Sequence, residues 1–247
     1  MIRLGMTRLG MTRLGMLTPS SNTRLEPATA DLLHGTADIT AHFSRFRVTE
    51  ITLSAAGLGQ FDEAPILTAA SLLADAKVDA IAWNGTSAAW LGFARDEALC
   101  ARITEATGIP AATAVLGFRD AFTRARIRRV GLVTPYTGDV QARIQANWGA
   151  AGFDCAAERH CGLSDNFSFA EVPDSEVAAM ARAVAAEGAE AVAIVCTNMA
   201  GAAMVDALEA ELGIPVFDSI AVTLWAALRA AGADPGRITG RGKVFRL

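Results

Sequence analysis

The chain has 247 residues, 52% of them hydrophobic and 19% charged, with 22 basic and 26 acidic side chains for a net charge of −4. That composition supports a sizeable core and excludes a disordered chain. It carries no dense Lys/Arg stripe for nucleic acid, no apolar run of the ~18–20 residues a membrane span needs and no signal-peptide core, so a soluble, cytoplasmic protein is expected.

R-L-G-M-T occurs twice in tandem before R-L-G-M-L runs into the loop T-P-S-S-N. Only the third copy can be the first strand, and roughly the first ten residues are expected to be peripheral. A helix is predicted after Asn22, where E-P-A-T-A-D-L-L has apolar positions at helical spacing. His42 to Val48 alternates like a strand, Ala64 to Ala76 reads as a helix, and Ala80 to Trp83 is a short apolar strand of the parallel-sheet kind. Helices follow at Asp96 to Thr107, stopped by Gly108 and Pro110, and at Ala114 to Arg126. The cluster Arg124, Arg126, Arg128 and Arg129 reads as a solvated helix end. Strands at Val130 to Thr134, Phe153 to Glu158 and Ala191 to Val195 alternate with helices at Val140 to Ala151, Asp174 to Ala186 and Ala202 to Leu212. Val216 opens the last strand, and Val222 to Ala231 forms the last long helix. Strands alternating with helices predict parallel sheets.

The second half restates the first. R-L-G-M-L-T-P-S-S-N returns as R-V-G-L-V-T-P-Y-T-G-D, D-A-I-A-W-N-G-T-S-A as E-A-V-A-I-V-C-T-N-M-A, and T-G-I-P-A-A-T-A as L-G-I-P-V-F-D-S. A period of about 105–117 residues is too long for a solenoid repeat and predicts two homologous α/β lobes related by a pseudo-twofold axis. Residues 1–112 with 217–247 are assigned to the first lobe and 113–216 to the second, with the G-I-P segments carrying the chain across and the C-terminal helix packing on the first lobe. Ligands bind such sheets at the carboxyl ends of strands, so one site is expected in the cleft between the lobes.

Cys196 ends a strand and opens toward a helix start, which suits proton transfer or nucleophilic attack; the bland alternative is a buried small hydrophobe. Cys100, Cys155 and Cys161 lie in helical or loop stretches, and none of the four cysteines makes a C-x-x-C pair. His34, His42 and His160 share no metal-ligand spacing, so no metal is assigned. Gly85, Thr86 and Ser87 offer backbone N–H groups and two hydroxyls in one turn, a cradle for a carboxylate or simply an N-G turn. Tyr136, the only tyrosine, lies in the matching T-P-Y loop, as an anion donor or a packing ring. Asn22 and Asn166 could donate amide N–H groups or serve as loop caps. There is no G-x-G-x-x-G after a strand, no Walker loop, no H-E-x-x-H and no G-x-S-x-G, so a cofactor-free acid/base enzyme fits best.

These residues resemble the aspartate/glutamate racemase superfamily, in the branch of maleate cis-trans isomerases and arylmalonate decarboxylases, from Leu14 to the end. P-S-S-N-T, H-F-S-R-F-R-V, Tyr136 and Asn166 in D-N-F are similar to the isomerases, while G-T-S at Gly85 to Ser87 with Cys196 is similar to the decarboxylases. Racemases and isomerases of the superfamily use two facing cysteines; Gly85 stands where the first would precede Thr86, and Cys196 matches the second. The resemblance implies a cofactor-independent enzyme acting on a small carboxylate or dicarboxylate. Thr86, Ser87, Tyr136, Asn22, Asn166 and Thr197 would surround the substrate, and Cys196 would protonate an enediolate from one face. A maleate-type isomerase and a non-catalytic carboxylate binder are the rivals, and a homo-oligomer is compatible with all three. Gly85 is read either as the position of a lost thiol, so that Gly85→Cys restores a second one, or as a positive-φ residue.

Overall fold

The structure, a computed structural model, describes residues 10–247. Its first half runs β1 (Thr12–Pro19), α1 (Leu25–Leu32), β2 (Ile39–Phe46), α2 (Ala55–Gly59), α3 (Glu63–Asp75), β3 (Ala80–Trp83), α4 (Ala88–Leu91), α5 (Phe93–Thr107), β4 (Ala111–Thr113) and α6 (Ala114–Ala125). The second half runs β5 (Arg129–Thr134), α7 (Gly138–Ala150), β6 (Asp154–His160), α8 (Asp174–Ala186), β7 (Ala191–Ile194), α9 (Val205–Leu212), β8 (Val216–Asp218) and α10 (Ser219–Ala230). Each half builds one four-stranded, all-parallel sheet, in the orders β2-β1-β3-β4 and β6-β5-β7-β8. The restated sequence is thus a restated topology. β3 and β7 are buried at every residue, as sheets covered on both faces require.

The third R-L-G-M copy lies within β1; the first copy and Arg8 and Leu9 of the second lie outside the described residues. β2 starts and stops earlier than the alternation of residues 42–48 suggests. Its last pair is Pro19 with Phe46, and once β1 turns away after Pro19, Arg47 and Val48 have no strand to join. α10 begins at Ser219 rather than Val222, because the Asp218 carboxylate caps it through the Ile220 and Ala221 N–H groups, at 2.8 and 3.1 Å. The stretch predicted as one helix from Ala202 splits into a 3₁₀ turn, Ala202–Met204, and α9.

Each G-I-P segment leads into one more strand of its own sheet, β4 or β8, and the crossing comes only in the helix that follows. Phe217 and Asp218, assigned from sequence to the first lobe, therefore close the second sheet. α6 leaves the first sheet and sets Phe122 against Trp148, Phe153 and Phe217 of the second half, with ring centroids 5.4–5.5 Å apart. α10 returns the exchange by packing on β3 and β4. This reciprocal exchange holds the two carboxyl edges face to face. Among the described residues no helix is long and apolar enough to cross a membrane.

Candidate active site between the two sheets

The two repeated polar turns meet at the lobe boundary. Asn84 to Ser87 follow β3, Val195 to Asn198 follow β7, and the Thr197 hydroxyl donates to the Asn84 carbonyl across the gap at 2.7 Å. A small, partly open cavity lies beside this joint, lined by Gly85, Thr86, Ser87, Tyr136, Asn166, Cys196 and Thr197 together with Pro19, Val48, Ile51, Phe61, Trp83 and Trp90. It measures about 20 Å³, the space of about one water molecule. Seven of the eight site residues read from sequence reach it.

Asn22 does not. Its side-chain carbonyl caps α1 through the Arg24 and Leu25 N–H groups, at 3.0 and 2.9 Å, and its amide donates to Thr197 Oγ1 at 3.1 Å. It therefore orients Thr197 from behind. Asn166 sits on the wall, donating to Ser21 Oγ at 2.7 Å, while its own carbonyl accepts from Asn198 Nδ2 at 2.5 Å. Asn198, which the sequence reading passed over, also accepts from the Thr23 and Arg24 N–H groups at 2.9 and 3.2 Å. It ties the thiol turn to both the first lobe and the Asn166 loop. Its signal in the sequence was its place two residues after Cys196, in the turn that repeats W-N-G-T-S.

Tyr136 is buried, edge-on to Trp90 and Phe169, with centroids 5.1 and 5.5 Å away. Its hydroxyl lies 2.6 Å from Thr86 Oγ1 and also hydrogen-bonds the Cys196 thiol. The order Thr86, Tyr136, Cys196 is a chain of hydroxyl and thiol groups linking the two lobes. Burial pushes the Tyr136 phenol well above its ordinary value, so it stays a donor at neutral pH. Among the described residues no hydrogen bond is made by the Ser87 hydroxyl, and Ser87 lines the cavity wall.

Cys196 is 3% exposed. Burial pushes its thiol up to about 12, against the lowering effect of the Asn198 N–H and the Tyr136 hydroxyl. The Asn198 N–H lies 3.3 Å from Sγ. The expected helix start is absent at this point, since the chain turns through residues 197–204 before α9 begins at Val205. No helix starts directly after Cys196 to favour the thiolate from its own turn. Cys100, Cys155 and Cys161 are half-buried and also raised, to about 12, 11 and 11, mainly by burial. What distinguishes Cys196 is position, not acidity.

Opposite the thiol turn, Gly85 does not have a positive φ, which removes the backbone reason for glycine. A Cβ built there would fall inside the Trp83 indole, overlapping Cζ2 and Cε2 and lying 2.5 Å from Cη2. Glycine stands here because the indole occupies the side-chain position. The expectation that Gly85→Cys by itself supplies a second thiol is corrected accordingly: the space for it is already filled. Trp90 lines the cavity, while Met199, three residues after Cys196, lines a separate one. Among the described residues no group of three or more His, Cys, Asp or Glu is placed to hold a metal.

Two parallel sheets of the same topology, with a buried thiol, a phenol and a Gly-Thr-Ser turn between them, define the class: a two-lobed α/β protein with a small polar and aromatic pocket between its lobes. The sequence model of the arylmalonate decarboxylase family matches residues 14–245, and the chain belongs to that family. It is 28% identical over 164 residues to the arylmalonate decarboxylase of Bordetella bronchiseptica, covering 65% of this chain and 68% of that protein. It is 30% identical over 120 residues to a maleate isomerase of Nocardia farcinica, covering 48% of this chain and 47% of that protein. A solved structure of a variant Nocardia farcinica maleate cis-trans isomerase, with a covalently bound succinylcysteine intermediate, has the same fold. Its TM-score is 0.87 at 24% identity, over 96% of this chain and 99% of that one.

Proposed function

We propose that this protein is a cofactor-independent decarboxylase of a small malonate-type dicarboxylate, with Cys196 as the proton donor. The observation that carries the reading is a single, buried, protonated thiol on one side of the cavity, with a glycine backed by an indole in the position of a second. Two-face proton transfer needs two such groups; this site offers one.

In this reading one substrate carboxylate accepts hydrogen bonds from Thr86, Ser87 and Tyr136, with Thr197 and Asn166 closing the wall. Departure of the second carboxylate breaks its bond to the central carbon. The bond's electron pair passes into an enediolate, and carbon dioxide leaves. The donors at Thr86, Ser87 and Tyr136 stabilise that charge, and one such donor contributes about 3–4 kcal/mol to lowering a barrier. The Cys196 S–H then gives its proton to the carbon from one face, and the thiolate regains a proton from water. While it lasts, that thiolate is held by the Asn198 N–H and the Tyr136 hydroxyl.

A thiol at about 12 is ionised in roughly one molecule in 10⁵ at pH 7, which suits an acid and disfavours a resting nucleophile. The second reading is a maleate-type isomerase. The succinylcysteine of the Nocardia farcinica neighbour favours it, and so does the place of Asn166 on the cavity wall. The proposal includes a cytoplasmic setting. It divides the chain as 1–112 with the C-terminal helix against the segment from 113, with β8 kept in the second lobe.

The test is proton NMR in deuterated water with malonates, maleate and small amino acids. Carbon dioxide loss with deuterium at one face supports the proposal. Fumarate from maleate favours the isomerase. Protection of Cys196 from alkylation by a dicarboxylate, with no turnover of any compound, favours a binding protein.

A further inference from the structure

The duplication leaves one pair of matching places unequal. β4 and β8 are the outer strands of their sheets, and Ala112 pairs with Ala82 as Phe217 pairs with Ala193. Each strand runs straight into a helix of 12 residues, α6 or α10, through a capping residue, Thr113 or Asp218. Matched position by position, Ala111 and Ala112 stand where the second lobe has Val216 and Phe217, and Arg119 and Asp120 stand where it has Leu224 and Trp225. All four of those second-lobe side chains are buried. In the first lobe the residues are smaller or charged, and an open groove of about 330 Å³ lies there, walled by α6, α10 and β4. It shares no lining residue with the inter-lobe cavity. Its volume falls within the range of small-molecule sites, about 300–1,000 Å³.

The lining divides into a buried apolar floor, with Ala112 and Trp225, and an exposed rim of Arg119, Arg229 and Asp120. The rim has two cations against one acid, and Asp120 is shared with Arg124 of α6 at 4.0 Å. Arg229 lies over the Trp225 ring, 4.7 Å from its centroid. Its Nη1 is 3.6 Å from the Asp120 carboxylate and has no hydrogen-bond acceptor, and neither has the buried Trp225 indole N–H. Buried donors of this kind cost free energy until an acceptor reaches them, and hydrogen bonds to charged groups are the stronger ones. An anionic acceptor suits a rim with one excess cation.

The second lobe shows what body fits on such a floor. Phe217 packs there against Phe122, the ninth residue of α6, with centroids 5.5 Å apart. The ninth residue of α10 is Ala227, and the strand residue matching Phe217 is Ala112, so the first lobe has two methyl groups in place of two rings. A cavity that takes up benzene measures about 150 Å³, so the groove has room for one ring and a carboxylate.

We propose that this groove is a second binding site, for a small aromatic carboxylate, with the ring on Ala112 and Trp225 and the carboxylate between Arg119 and Arg229. It is independent of the decarboxylase reading, because it concerns binding by residues outside the inter-lobe site. The probe is benzoate, titrated by calorimetry into the wild type, with benzyl alcohol as its neutral counterpart. Benzoate is expected to bind at least about 10-fold more tightly than benzyl alcohol, and Arg119→Gln and Arg229→Gln each to weaken benzoate by at least about 10-fold. Ala226→Phe, which puts a ring into the groove, is expected to remove binding, while Tyr136→Phe leaves it unchanged. Absence of benzoate binding overturns the proposal, as do equal affinities for the two probes and an unchanged affinity in both glutamine variants. Loss of binding in Tyr136→Phe places benzoate in the inter-lobe cavity and also overturns it. So does sedimentation of the wild type as a dimer that Ala226→Phe splits, which makes this face a contact between copies. The two glutamine variants alter side chains 37% and 30% exposed and carry the test if Ala226→Phe does not fold.

Discussion

Gly85→Cys tests the packing argument most sharply, because the reading from sequence and the reading from structure differ on it. The new Cβ would overlap the Trp83 indole, whose ring is 1% exposed and pressed against Phe46. Forcing extra atoms into a packed core costs about 1–3 kcal/mol. For a chain of this size that is about 2–4 °C of melting temperature per kcal/mol, so a loss of roughly 2–12 °C is expected. Trp83→Leu alone leaves a void and is also destabilising. The double variant relieves the overlap, so its loss is smaller than the sum of the two, with a coupling of about 1–3 kcal/mol, the range seen for residues in contact. Urea denaturation of the four proteins gives the cycle. The functional arm follows the α-proton of both enantiomers of a chiral 2-substituted carboxylate in deuterated water. Exchange on both faces is expected only in the double variant, where a second thiol has room. Additive losses within about 0.5 kcal/mol would refute the overlap. A folded double variant that exchanges neither enantiomer would refute the facing-thiol geometry.

Cys196→Ala and Cys196→Ser are expected to abolish turnover, whereas alanine at Cys100, Cys155 or Cys161 leaves it within a few-fold; carbon dioxide release checks this, and an active Cys196→Ala protein removes the thiol from the mechanism. Tyr136→Phe deletes the hydroxyl between Thr86 and Cys196, so kcat is expected to fall by about 10²–10³ with a smaller change in KM; an unchanged kcat makes the phenol a packing group. The pH profile follows from the raised thiol. An acid that must be protonated, with its pKa at about 12, stays fully in the active form below about pH 11, so Cys196 contributes no basic limb between pH 6 and 10. A thiolate nucleophile would instead give a rate rising about tenfold per pH unit across that range. Alkylation of Cys196 by iodoacetamide, followed by mass spectrometry, should show that tenfold rise in either case, since alkylation requires the thiolate.

The sequence alone determined the duplication and the strand–helix alternation, because both are local patterns. Apolar runs such as Ala80–Trp83 and Ala191–Ile194 have the strand length of buried parallel sheets, and polar turns at their ends recur in order. Cys196, Thr86, Ser87 and Tyr136 were legible for the same reason: each stands in a turn after a strand, where such sheets place their ligands. Asn22 stood open in the sequence between an amide donor and a cap, and its carbonyl goes to the start of α1 and its amide to Thr197; the capping by Asp218 that starts α10 early escaped the sequence reading. Only the tertiary structure decided what faces what. It showed that the crossing between lobes waits for α6 and α10, that Asn198 ties three segments together, and that Trp83 fills the space in front of Gly85. These are contacts between groups distant in sequence or set by a single rotamer. Local pattern fixes which way a residue can point on its own element, while occupancy of a shared volume depends on every neighbour that packs into it.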